Sequence, residues 1–153
     1  MLIMKKYFLL TLAVIAFAGA RAQEKPVSWN FSAKKIADKT YEVSITANIN
    51  GDWHMYSQNV GVDGPVPTTL SFTKNALLSL EGKPKEVGKL IKKKEDVWDG
   101  VVNYYEKNVS FVQVVKVKGT AKTNLAGKVE FMVCNDEKCL PPVEVDFSVN
   151  IGG

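Results

Sequence analysis

Apolar and polar residues alternate along much of this chain with a period of two. The clearest run covers residues 40–49, where Tyr41, Val43, Ile45, Ala47 and Ile49 share one face and Glu42, Ser44, Thr46 and Asn48 share the other. That alternation belongs to a half-buried strand. Residues 27–32, 53–57, 68–73, 90–94 and 103–106 read as shorter strands, and residues 109–118 as a long valine-rich one. Turn residues separate them: Asn50-Gly51-Asp52, the Gly64-Pro65 and Pro67 of a loop over 61–67, and Lys107-Asn108. Gly82, Pro84 and Gly88 predict an irregular middle, and residues 119–127 a connection. Beyond the first 22 residues, no segment carries helical apolar spacing over about eleven residues. Short strands every 8–12 residues or so predict an all-β fold, an immunoglobulin-like Greek-key β-sandwich.

The last strands flank the only two cysteines. Val129, Phe131 and Val133 precede the string Cys134-Asn135-Asp136-Glu137-Lys138-Cys139-Leu140-Pro141-Pro142, and Val143, Val145, Phe147 and Val149 follow it. Strand, short polar loop, strand predicts a hairpin with the two sulfurs facing each other across its tip. The pair is either a structural staple or a redox-active couple. Closing so short a loop stabilises by only about 2 kcal/mol on the chain-entropy model, which weighs against a purely structural role.

The first 22 residues read as a cleavable secretory signal. Lys5 and Lys6 form a positive start, residues 7–19 an apolar stretch, and Ala20-Arg21-Ala22 a small-x-small site before Gln23. Residues 23–153 are then expected to be one exported domain, with no further apolar run near the ~20 residues of a membrane helix. Cleavage changes the charge. Of 20 Lys and Arg, Lys5, Lys6 and Arg21 leave with the signal; the remaining 17 are all lysine and face 16 Asp and Glu, for a formal +1. A nucleic-acid surface would need a basic, arginine-bearing face. The run Lys92-Lys93-Lys94 is followed at once by Glu95 and Asp96 and reads as a solvated edge or loop.

Candidate chemistry narrows quickly. His54 is the only histidine, so there is no multi-histidine metal site, and no serine nucleophile elbow or phosphate-binding glycine loop is present. No metal or cofactor is expected apart from the Cys134–Cys139 couple. Thiol–disulfide exchange remains. It needs two cysteines in one site, access for a partner, and control of the thiolate. Lys138 beside Cys139 would favour the thiolate, and Asp136 and Glu137 would oppose it. His54 and Tyr56 share a face of one candidate strand. Trp53, Tyr104, Tyr105, Phe111 and Phe131 read as core. Trp98, inside the polar loop 95–100, is either a core plug or a cover over another site.

The cysteine string, together with Trp53-His54-Met55-Tyr56-Ser57 and Asp63-Gly64-Pro65-Val66-Pro67, resembles the N-terminal domain of the bacterial thiol:disulfide interchange protein DsbD, over roughly residues 27–151. The resemblance implies an immunoglobulin-like domain in the periplasm. It would accept reducing equivalents from a thioredoxin-like protein fed by a membrane electron transporter of the DsbD type. It would pass them to periplasmic partners such as a disulfide isomerase or a cytochrome c maturation thioredoxin. By position, Cys134 and Cys139 are the active pair, with Cys139 forming the mixed disulfide and Cys134 resolving it. Residues 96–100 fall where the family has a cap loop: Trp98 takes the place of the covering aromatic and Asp96 that of a nearby acid. His54 and Tyr56 fall where the best-known member has two tyrosines. Three features depart from the pattern: four residues between the cysteines rather than more, Val97 in place of an acid, and His54 in place of a tyrosine. The membrane and thioredoxin-like parts of DsbD have no counterpart in this sequence; separate proteins supply them or this copy has another job. The alternative function is a non-catalytic immunoglobulin-like binding module whose hairpin disulfide is structural.

Overall fold

The computed structural model describes residues 24–152, so the predicted signal lies outside the described residues. The strands are β1 (Val27–Ala37), β2 (Thr40–Ile49), β3 (His54–Tyr56), β4 (Thr69–Phe72), β5 (Leu78–Gly88), β6 (Ile91–Glu95), β7 (Gly100–Glu106), β8 (Asn108–Val117), β9 (Thr123–Phe131), β10 (Val133–Cys134) and β11 (Val143–Ile151). A single 3₁₀ turn, Asp96–Trp98, joins β6 to β7. All the pairings are antiparallel, in three sheets ordered β1-β2-β8-β5, β10-β3-β7-β6 and β11-β9-β4. This is the predicted immunoglobulin-like sandwich.

The alternation of β2 sets the first layer. Val43, Ile45, Ala47 and Ile49 are buried, and β8 answers in register: Val43 lies opposite Gln113, Ile45 opposite Phe111 and Ala47 opposite Val109. The second layer supplies Leu125, Val129 and Phe131 from β9 and Phe147, Val149 and Ile151 from β11 to the same core. Each of these side chains contributes about 1.5–3 kcal/mol by leaving water. Trp29 and Phe31 of the edge strand β1 close the seam: Trp29 meets Phe131 edge-on at 5.2 Å and Phe31 lies 5.8 Å from Phe147.

Three boundaries differ most from the sequence-based expectation. β1 runs five residues past Ser32 because its far end pairs with residues 40–43, although nothing there is buried. The middle around Gly82 and Pro84 is a strand, β5, with its register broken between Glu81 and Lys85. Gly82 sits at φ 69° in that break, and Pro84, which has no N–H to donate, is tolerated there. The buried Gln113 amide donates to the carbonyls of Glu81 (3.1 Å) and Gly82 (3.4 Å), binding the bulge to the core. The connection expected over 119–127 ends at Lys122, and Thr123 already belongs to β9. The lysine run is the exposed edge strand β6.

The cysteine hairpin is more elaborate than predicted. β9 and β11 pair as expected, with Phe131 opposite Val143 and Val129 opposite Val145. The chain between them leaves that sheet. Val133 and Cys134 instead pair with Met55 and His54 of β3.

Candidate functional site

The sheet β10-β3-β7-β6 has apolar side chains on both faces, and the period of two sorts them. Met55, Tyr105 and Val133 point into the main core. Their neighbours Tyr56, Tyr104 and Cys134 belong to a second, smaller cluster with Val60, Val102 and Met132, against which Val62, Val66, Ile91 and Trp98 pack. The cysteine site is built on this second face.

A disulfide joins Cys134 to Cys139, with Cα atoms 4.0 Å apart. The two ends differ in setting. Cys134 is held in β10 and is 2% exposed, whereas Cys139 is exposed at the loop's far side. Two backbone bonds bracket the pair: Asn135 N–H donates to Lys138 O and Leu140 N–H to Val133 O, both at 2.9 Å. Within the loop, the Asn135 side-chain oxygen accepts from the N–H groups of Glu137 (3.0 Å) and Lys138 (2.9 Å). An asparagine that turns the chain on its own side chain is the reason four residues suffice between the cysteines. The Lys138 ammonium, expected beside the Cys139 sulfur, is 2.9 Å from the Glu24 carboxylate and 6.0 Å from the centre of the Trp53 ring.

Aromatic rings surround the buried sulfur. The Tyr56 hydroxyl donates to Cys134 Sγ at 3.3 Å. His54, directly across the ladder from Cys134, stands edge-on to Tyr56 at 5.4 Å and lies 4.4 Å from the Tyr104 ring. Burial shapes the acid–base character of all three. It pushes His54 below its ordinary 6.5, against the raising fields of Glu95 and Glu106. It raises the phenols of Tyr56 and Tyr104, so both remain protonated donors near neutrality. Trp98 acts in the opposite sense on the Tyr56 phenol.

Trp98 ends the 3₁₀ turn and is half-buried against the second cluster. Asp99, at φ 48°, reverses the chain, and its N–H donates to Asp96 O at 3.3 Å. Val97 at the tip is 83% exposed, so the turn presents one ring inward and one apolar side chain to solvent.

The structure therefore brings Cys134, Cys139, His54, Tyr56 and Trp98 into one site. Asp96 is exposed at the start of the turn. The acid whose field reaches His54, Tyr56 and Tyr104 is its neighbour Glu95, which pairs with Lys93 at 2.8 Å. Tyr104 is also part of the site. It reads as core from sequence because Tyr104 and Tyr105 are adjacent aromatics; the signal that separates them is the parity of β7, which sends the two to opposite faces. Among the described residues no three His, Cys, Asp or Glu side chains converge as a metal site would require, and no helix is long and apolar enough to cross a membrane.

Fold and site together define a class: an antiparallel immunoglobulin-like sandwich carrying a disulfide with one buried and one exposed cysteine, the buried one among aromatic side chains. The chain belongs to the family of the N-terminal domain of the thiol:disulfide interchange protein DsbD, whose model matches residues 21–151. Two solved structures share the fold. The Neisseria meningitidis DsbD N-terminal domain in the reduced form superimposes with a TM-score of 0.57 at 18% identity, covering 88% of this chain and 92% of that one. The same organism's DsbD N-terminal domain, solved in complex with the PilB N-terminal domain, gives 0.54 at 16%, covering 85% and 87%. At such identities the likeness is one of fold. No curated protein matches the chain.

Proposed function

We propose that this domain is an exported, periplasmic thiol–disulfide exchange module. The supporting observation is the asymmetry of the pair: Cys139 is open to a partner, while Cys134 is buried on a strand and held by Tyr56. In the dithiol form the Cys139 thiolate attacks one sulfur of a partner disulfide. That S–S bond breaks, the partner's other sulfur leaves as a thiolate, and a mixed disulfide forms. The Cys134 thiolate then attacks Cys139 Sγ. The intramolecular disulfide closes and the partner leaves with two electrons gained. A dithiol donor reverses the sequence and restores the reduced pair.

The donor in this reading is a thioredoxin-like protein fed by a membrane electron transporter of the DsbD type. The acceptors are periplasmic disulfide isomerases or cytochrome c maturation thioredoxins. Family membership and the PilB complex of the Neisseria domain support protein partners of this kind. The only redox group required is the Cys134–Cys139 couple itself.

Trapping tests the order of events. Cys134→Ser should accumulate partner adducts through Cys139, and Cys139→Ser should accumulate few. Equilibration with thioredoxin or glutathione buffers gives the potential. A value in the thioredoxin range supports exchange. A value below about −300 mV, with negligible trapping by both variants, would leave a structural staple in a binding module.

A further inference from the structure

The loop over residues 57–67 carries the Asp63-Gly64-Pro65 string, to which the exchange chemistry assigns nothing. Its base is fixed. The Glu86 carboxylate accepts from the Ser57 hydroxyl at 2.8 Å and from Gln58 N–H at 2.6 Å. Asn103 N–H donates to Val60 O, and the Asn103 side-chain amide to Asn59 O, both at 2.8 Å. At the far end the Thr68 hydroxyl donates to Tyr56 O.

The tip of this loop meets the Trp98 turn at two places where only glycine fits. A Cβ on Gly64 would stand 2.4 Å from Cε3 and 2.6 Å from Cζ3 of the Trp98 indole. A Cβ on Gly100, the first residue of β7, would stand 2.5 Å from Cγ1 of Val62. The contacts are reciprocal: each segment offers a bare glycine to a bulky side chain of the other. Gly64, at φ 123°, is also required by its backbone, but Gly100 has no such requirement, so close approach to Val62 is what its missing side chain permits. Val62 and Trp98 both pack on the cluster that holds Tyr56 and Cys134.

We infer that the cover over the buried Cys134 is a two-segment lid, in which Val62 and Gly64 hold Trp98 in place and so set access to that sulfur. They are positioning residues and act through Trp98. The inference rests on the exchange reading only for its purpose; the lid itself is a property of the fold.

The test uses a Cys139→Ser background, in which Cys134 is the only thiol, and a bulky maleimide. Gly100→Ala should raise the rate of thiol modification about fivefold or more, because overpacking drives the segments apart. Val62→Ala should raise it too, by removing the contact. The double variant Gly100→Ala/Val62→Ala, in which the new methyl occupies the vacated space, should react more slowly than either single one. In a chain with Trp29→Phe and Trp53→Phe, Trp98 emission should shift red in each single variant and return toward the starting value in the double. A lid of this design is overturned if the single variants react at the unmodified rate, or if the two effects simply multiply with no recovery of Trp98 emission. Should Gly100→Ala fail to fold, Val62→Ala read by rate and emission decides alone. Maleimide access does not depend on any partner, so an inert disulfide in the trapping test would sink the exchange reading and leave this result standing.

Discussion

The Tyr56 hydroxyl and Cys134 Sγ are 3.3 Å apart, and the hydrogen bond between them joins two strands that neighbour each other in one sheet but lie 78 residues apart in sequence. Together with burial, this contact distinguishes the inner cysteine from the exposed outer one. When the disulfide opens, the same donor faces a thiolate, and hydrogen bonds to charged acceptors are the stronger kind. Tyr56→Phe should therefore slow resolution of a mixed disulfide by Cys134, while leaving the first attack by Cys139 unchanged. A lost bond of about 1.5–3 kcal/mol to a charged group lowers the thiolate fraction, and the rise in intrinsic nucleophilicity offsets about half of that on a log scale, so the slowing is roughly 3- to 13-fold. Single-turnover kinetics with a Cys139 adduct measure the step, and equal rates in both proteins would remove Tyr56 from it.

Trp98 is half-buried on the cluster that contains Cys134, and its neighbour Val97 is in solvent. In a Cys139→Ser background, Trp98→Ala should raise the rate at which a bulky thiol reagent reaches Cys134 by about 2- to 10-fold, the range expected for loss of an aromatic contact. A small reagent should gain less. An unchanged rate with the bulky reagent would show that Trp98 is not a cover.

His54 gives the domain a pH dependence whose sign follows from burial. Desolvation holds its folded-state pKa below 6.5. Between that value and 6.5 the unfolded chain binds more protons than the folded one, so stability rises with pH across this window. The contribution is complete above 6.5 and is lost as pH falls from there through the folded-state value. His54→Phe should flatten the change in urea midpoint between about pH 7.5 and 5.5, above the range where carboxylates titrate. Equal slopes in the two proteins would count against this origin.

Gln113 is 1% exposed, and its amide donates to Val114 O at 2.9 Å as well as to the carbonyls of Glu81 and Gly82 at the break in β5. Gln113→Leu keeps the volume but leaves those carbonyls without a donor. It should cost about 1–3 kcal/mol, read as a lowered urea midpoint with an unchanged m-value. A loss below about 0.5 kcal/mol, the level of an ordinary surface substitution, would mean that water replaces the amide.

Much of the fold is legible in the sequence because strand parity is a local property. Val43, Ile45 and Ala47 alternate with polar residues, and the buried face follows at once. β5 is not legible in this way. Its edge position leaves most of its side chains in solvent, and its bulge residues Gly82 and Pro84 look like chain breakers. The cysteines, Trp98 and the His54–Tyr56 pair are visible as motifs. Tyr104 and Glu95 are not, because nothing local tells an inward aromatic from one on the opposite face, or which of two adjacent acids turns toward a site.

By itself, then, the sequence determined most of the strands, their buried faces and the pairing of two close cysteines, since each depends on neighbours within a few residues. Only the tertiary structure decided that Cys134 leaves the hairpin for a second sheet, where Tyr56, Tyr104 and His54 meet it. The same is true of Gly64 and Val62 closing on the Trp98 turn from a loop more than thirty residues away. Those contacts arise when sheets stack and loops converge, and long-range packing of that kind leaves no periodicity in the chain to read.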